Sequence, residues 1–160
     1  MNLWGPAIAI VMTLSAVSAG YGQDVSEAAA AAEIRTLQAA AAASPSDAPL
    51  LSRLSQAYAV ANQPEAALAA IEGALVLDPH RPEYLRAHAI LATWTARYDR
   101  ARDSYRQLAR LQPLERELGL NYARVSAWAG DTDNAVNEYR KYLGERPDAA
   151  HLWLELARTE

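Results

Sequence analysis

Four prolines, Pro45, Pro79, Pro113 and Pro147, stand 34 residues apart along this chain. A strict period of that length points to stacked helical units, because each unit buries its apolar face only against a neighbour of the same shape. Other positions keep the period. Ala67, Ala101 and Ala135 share one phase, Ala89, Ala123 and Ala157 a second, and Ile71, Tyr105 and Tyr139 a third. Small residues recur at some phases and large apolar ones at others, so every unit presents the same shape to the next.

Within a unit the apolar spacing is helical. Leu51, Leu54 and Tyr58 follow one helix, Ala61-Asn62-Gln63-Pro64 interrupts it, and Ala67, Leu68, Ile71, Ala74 and Leu75 follow a second that stops at Asp78-Pro79. The next unit repeats the plan. Leu85, Ala89 and Ala92 lead to a turn near Ala96-Arg97, then Tyr98, Ala101, Tyr105 and Leu108 run to Pro113. In the third unit Gly130 suits the left-handed residue that closes a helix, and Asp131 can cap the helix that follows. That helix carries Ala135, Val136, Tyr139 and Tyr142 and stops at Pro147.

This arrangement resembles the tetratricopeptide repeat. The signature falls on Leu51, Leu54, Ser55, Tyr58, Ala67, Ile71, Ala74 and Pro79 in the first unit. It falls on Leu85, Ala89, Ala101, Tyr105 and Pro113 in the second, and on Ala123, Gly130, Ala135, Tyr139 and Pro147 in the third. Gly119, Leu108 and Tyr142 depart from it. The resemblance implies an all-α fold, a right-handed superhelical solenoid of antiparallel helix pairs, with repeats over 48–81, 82–115 and 116–149 and a partial repeat over 150–160.

Both flanks carry expectations. Residues 20–47 are read as an Ala-rich segment whose helix, from about Val25 to Ala43, caps the stack; a low-complexity tether is the alternative. Trp153, Leu156 and Ala157 open a fourth unit, so the chain is read as a fragment of a longer array, with a C-terminal cap as the alternative. Residues 1–19 are read as a signal peptide. Leu3 to Ala19 holds no charged side chain, and Val17 and Ala19 fit the small-residue pattern of a cleavage site after Ala19. An uncleaved anchor is the alternative, although the segment, with Gly5 and Pro6, is short for about 30 Å of hydrocarbon. Export places the expected location in the periplasm.

Composition narrows the chemistry. A net charge of −4 argues against a general nucleic-acid binder. The chain has no Cys, so it has neither a disulfide framework nor a thiol nucleophile. His80, His88 and His151 show no metal-ligand spacing, and Asp131 and Asp133 read as helix-capping residues. No catalytic constellation stands out, so no enzyme activity, cofactor or metal is expected.

The resemblance implies that the first helices line a concave groove. Carried over position by position, groove residues are Ser52, Arg53, Gln56 and Val60, then Glu83, Arg86, Ile90, Thr93 and Trp94, then Glu117, Asn121, Arg124 and Trp128, and finally Glu155 and Arg158. Each unit contributes one Arg, and Trp94 and Trp128 lie one period apart. Arg grips carboxylates or phosphates with a two-pronged fork, and Trp offers a flat face to sugars, rings or cations. The structural alternative is that each Trp packs on a second helix and each Arg pairs with a nearby Glu. Ser52, Gln56, Ala87 and Leu120 occupy most positions that a chaperone-type carboxylate clamp needs, so that site is not expected.

The expected function is an exported periplasmic scaffold that binds protein partners of an envelope assembly. Tyr122 to Gly130, followed by Ala135 and Tyr139, is similar to repeats in the periplasmic arms of exopolysaccharide exporters, which implies a role in that pathway. Two alternatives remain: direct binding of an anionic or neutral polysaccharide through the Trp pair and the Arg row, or a membrane-anchored assembly factor resembling the tetratricopeptide subunits of cytochrome c maturation.

Overall fold

The computed structural model describes residues 21–145 together with Glu155 and Arg158. The expected cleavage site after Ala19, Pro147, and most of the partial fourth unit lie outside the described residues. Seven helices and no strand occur among the described ones: α1 (Tyr21–Ala43), α2 (Ala48–Val60), α3 (Pro64–Leu77), α4 (Pro82–Trp94), α5 (Tyr98–Leu111), α6 (Arg116–Trp128) and α7 (Thr132–Glu145). The helices α2, α4 and α6 begin one period apart, as do α3, α5 and α7. α1 starts at Tyr21, earlier than the Val25 expected.

Local chemistry sets these boundaries. Asp47 caps α2 by accepting a hydrogen bond from the Leu50 N–H at 2.9 Å, and Pro49 sits in the first turn, where its missing N–H costs nothing. Pro64 and Pro82 open α3 and α4 in the same way. The first helices α2, α4 and α6 each close on a residue with positive φ: Asn62 at 55°, Ala96 at 55° and Gly130 at 76°. The next N–H then reaches back over the last turn, from Gln63 to the Tyr58 carbonyl, Arg97 to Ala92 and Asp131 to Ser126, at 2.8–2.9 Å. These bonds satisfy carbonyls that the helix end leaves bare. Asp131 also accepts from the Asn134 N–H at 3.4 Å, so the expected cap is present.

Packing follows the period. Ala67, Ala89, Ala101, Ala123 and Ala135 are fully buried, and Ile71, Tyr105 and Tyr139 are buried in the matching gaps. Alanine lets two backbones approach, and the larger residue fills the space one turn away. Each helix touches its neighbours in sequence, so the core is a column running along the stack rather than a single centre. α1 lies on α2 through Ile34, Leu37 and Leu54, with a Gln38 amide donating to the Tyr58 hydroxyl at 2.6 Å.

Ion pairs tie successive second helices together. At the first junction Glu72 of α3 meets Arg100 of α5 at 2.6 Å. At the second, Arg106 of α5 meets Asp131 at the start of α7 at 3.0 Å.

Candidate functional site

The expected groove residues divide into three groups. Arg53 and Gln56 stand on α2 with Val60, and all three line one cleft against α1. Their spacing along a helix puts them on one face. Ile90 and Trp94 share a face of α4 one turn apart, Ile90 half-buried and Trp94 56% exposed. Asn121, Arg124 and Trp128 share a face of α6, and Trp128 is 48% exposed. Arg158 is exposed.

The Arg residues are not equivalent. Arg124 is held by Glu155: its Nε and Nη2 donate to the two Glu155 carboxylate oxygens at 2.9 and 3.1 Å, and its Nη1 donates to Asn121 at 3.2 Å. The Tyr139 hydroxyl donates to the same carboxylate at 3.0 Å. This two-pronged, half-buried pair holds the guanidinium charged, with a pKa raised above its ordinary value although burial opposes the charge. Arg86 reaches Glu115 at 3.5 Å near the surface. An anion entering beside either would have to displace a carboxylate. Arg53 has no ion pair among the described residues.

The two Trp residues also differ. Trp128 rests on Tyr98 of the preceding second helix, with ring centroids 5.1 Å apart and planes tilted by 46°. Half of its surface remains open, so packing positions the ring without consuming its face. Beneath the row, Tyr105 and Tyr122 stack at 5.8 Å, and burial pushes the Tyr105 hydroxyl up to about 12, so it remains a neutral donor.

A polar cluster whose members lie far apart in the sequence sits inside the stack. His88 occupies a phase held by Leu54 and Tyr122 in the other units and is buried. Its Nδ1 lies 2.7 Å from the Ser104 hydroxyl, and its Nε2 lies 3.6 Å from Glu72, which is gripped by Arg100. With the ring proton on Nε2, facing Glu72, the Ser104 hydroxyl donates to Nδ1. Burial lowers the His88 pKa; Glu72 opposes that shift but is itself neutralised by Arg100. Ser104, His88 and Glu72 have the residue types of an acyl-transfer relay, and Ser104 and His88 line a recess of about 290 Å³. Ser104 lies inside α5, however, where backbone N–H groups are spent on the helix and none is left to hold an oxyanion. The cluster is a three-helix fastening of α3, α4 and α5. The signal that could have revealed it is a histidine at an apolar phase.

A broader recess of about 620 Å³ lies between the α1–α2 loop and the end of α3, lined by Ser44 to Pro49 and Leu77. Its one charged group, Asp47, is already used as a cap. Among the described residues no cluster of His, Asp and Glu could hold a metal ion, and no helix is long and apolar enough to cross a membrane.

No family model matches the sequence, and no curated protein matches it. Solved structures do. A crystal structure of MamA superposes with a TM-score of 0.69 at 17% identity, covering 89% of this chain and 84% of that one. A tetratricopeptide repeat protein from Parabacteroides merdae ATCC 43184 gives 0.63 at 15% identity, and the match covers 85% of this chain but 53% of that chain. YrrB, described as a TPR protein with an unusual peptide-binding site, gives 0.60 at 15% identity, covering 77% of this chain and 63% of that one. With the 34-residue spacing of the helix starts and the Ala and aromatic phases, these superpositions show that the chain has the tetratricopeptide-repeat fold.

Proposed function

We propose that this chain is an exported scaffold that recognises a protein partner through the face of its first helices. The observation that carries this reading is the pair of half-exposed indoles, Trp94 and Trp128, one period apart on α4 and α6. Large exposed aromatic surface at fixed spacing is characteristic of recognition, because Trp contributes contact area at small conformational cost. The peptide-binding site ascribed to YrrB supports a peptide as ligand. The uncharged segment from Leu3 to Ala19 supports export to the periplasm, and the similarity of Tyr122 to Gly130 to exporter arms supports a place in exopolysaccharide export.

The test is titration of the purified protein with candidate envelope proteins and, in parallel, with acidic and neutral exopolysaccharides. Replacing Trp94 and Trp128 together by Ala weakens binding at every salt concentration if the indoles are the contact. Tight binding of a polysaccharide with none to proteins would favour the sugar reading. A partner held equally well by the double variant would remove the indoles from the site. Mass spectrometry of envelope protein beginning at Gly20 supports export; full-length protein confined to the cytosol overturns it.

A further inference from the structure

The N-terminal end of the stack presents a second surface, separate from the indoles. One period before Pro64, where α3 begins, stands Ala30, so α1 takes the part of a second helix. Among the described residues no first helix lies beside it. α1 and α2 instead bound a cleft of about 230 Å³, lined by Ala30, Glu33, Arg53, Gln56, Ala57 and Val60.

The interior of the stack shows what such a cleft accommodates. Trp128 rests on Tyr98; two periods earlier those positions are Val60 and Ala30, and Val60 is 83% exposed. Glu155 pairs with Arg124 on the preceding first helix; three periods before Glu155 stands Arg53, with no ion pair among the described residues. Ala67, Ala101 and Ala135 are fully buried against the first helix of their own unit, as the Ser55 hydroxyl bonded to the Ala67 carbonyl at 2.8 Å illustrates. One period before Ala67 stands Glu33, exposed. The cleft therefore has the geometry of a first-helix slot, with a cation on one wall and an anion on the other.

We propose that this cleft takes an amphipathic helix of a protein partner, one presenting a carboxylate to Arg53 and, one residue earlier, a Lys or Arg to Glu33. Charge complementarity selects this occupant. Residues 1–20 contain no Asp or Glu to meet Arg53. The first helices of a second copy carry Gln56, Ile90, Arg124 or Arg158 at the position that would face Arg53, and none of these is acidic. Glu33 keeps the docked helix from approaching as closely as the alanine contacts inside the stack, so docking is reversible rather than a permanent extension.

The probe is a helix-stapled synthetic peptide of residues Arg116–Trp128 carrying Ala123→Lys and Arg124→Glu, compared with the unaltered peptide on the full chain. The altered peptide should bind about tenfold more tightly, the equivalent of one good charge contact. Arg53→Glu should reverse the order of the two peptides. Because the chain has no Cys, Val60→Cys gives a single thiol; it should be open to alkylation alone and protected by the altered peptide. Equal binding of both peptides, or a preference that survives Arg53→Glu, overturns the proposal. So does a thiol protected before peptide is added, which would mean that the chain's own N-terminal residues fill the cleft, or a second copy if protection grows with protein concentration. The Trp94→Ala, Trp128→Ala protein should bind the altered peptide unchanged. Loss of binding there would move the peptide to the indole face and overturn the cleft.

Discussion

A single left-handed residue closes each of α2, α4 and α6, and the three positions are filled differently. Asn62 tolerates positive φ, Gly130 prefers it, and Ala96 adopts it against the steric demand of its Cβ. Ala96→Gly should therefore raise stability by about 1 kcal/mol in denaturant melts, and Gly130→Ala should lower it by about as much. A Cβ on Gly130 would meet nothing within 4 Å, so that cost is purely conformational. At Ala101 the constraint is space: the residue is fully buried, and Ala101→Leu should cost about 1–3 kcal/mol by overpacking. His88 adds a pH dependence. Its folded pKa lies below the ordinary value of about 6.5, so the unfolded chain takes up the proton more readily. The stability it contributes is present above about pH 6.5 and is lost as the pH falls through the folded value. The facing groups are Glu72 from α3 and Arg100 and Ser104 from α5. Melting curves at pH 5 and pH 8 should differ more for the wild type than for His88→Leu, which restores the apolar residue found at this phase in the first unit.

The helices themselves were legible because short-range signals specify them: apolar spacing throughout, a proline in the first turn of α2, α3 and α4, and a left-handed residue after α2, α4 and α6. Side-chain pairings were less legible. Arg53, Arg86, Arg124 and Arg158 read as one row from sequence, yet Arg124 is engaged by Glu155, 31 residues away. A period reveals which positions recur; it does not tell which of two facing side chains will take up the other's charge. The clue was present, since Glu155 falls 31 residues after Arg124, but it required comparing two phases across a junction. The pair is half-buried and two-pronged, so a double-mutant cycle of Arg124→Ala with Glu155→Ala should give a coupling of about 1–2 kcal/mol, above that of an ordinary surface pair. A coupling near zero would return Arg124 to the set of cations available to a ligand. His88 escaped for a related reason: its partners, Glu72 and Ser104, come from two other helices and share no short spacing with it in the sequence.

At the scale of the molecule, shape and charge carry different information. The alanine and aromatic phases make the repeats alike, so by shape alone any repeat could follow any other. The ion pairs between second helices make them unlike. An acid on the first repeat meets a base on the second, and a base on the second meets an acid on the third. The charges thus write an address into each unit, and the order of the repeats is encoded separately from their form. Deleting residues 82–115 in frame would join surfaces that fit, yet it would set Glu72 against Asp131 in place of Arg100. Of the two shortened chains the one with Glu72→Arg should be the more stable, by about 1 kcal/mol, because it makes the outgoing sign of the first repeat that of the one removed; equal melting midpoints for the two would show that order rests on packing alone. For a molecule that grows or shrinks in evolution by whole repeats, such an address restricts where a copy can be inserted without a compensating change of sign.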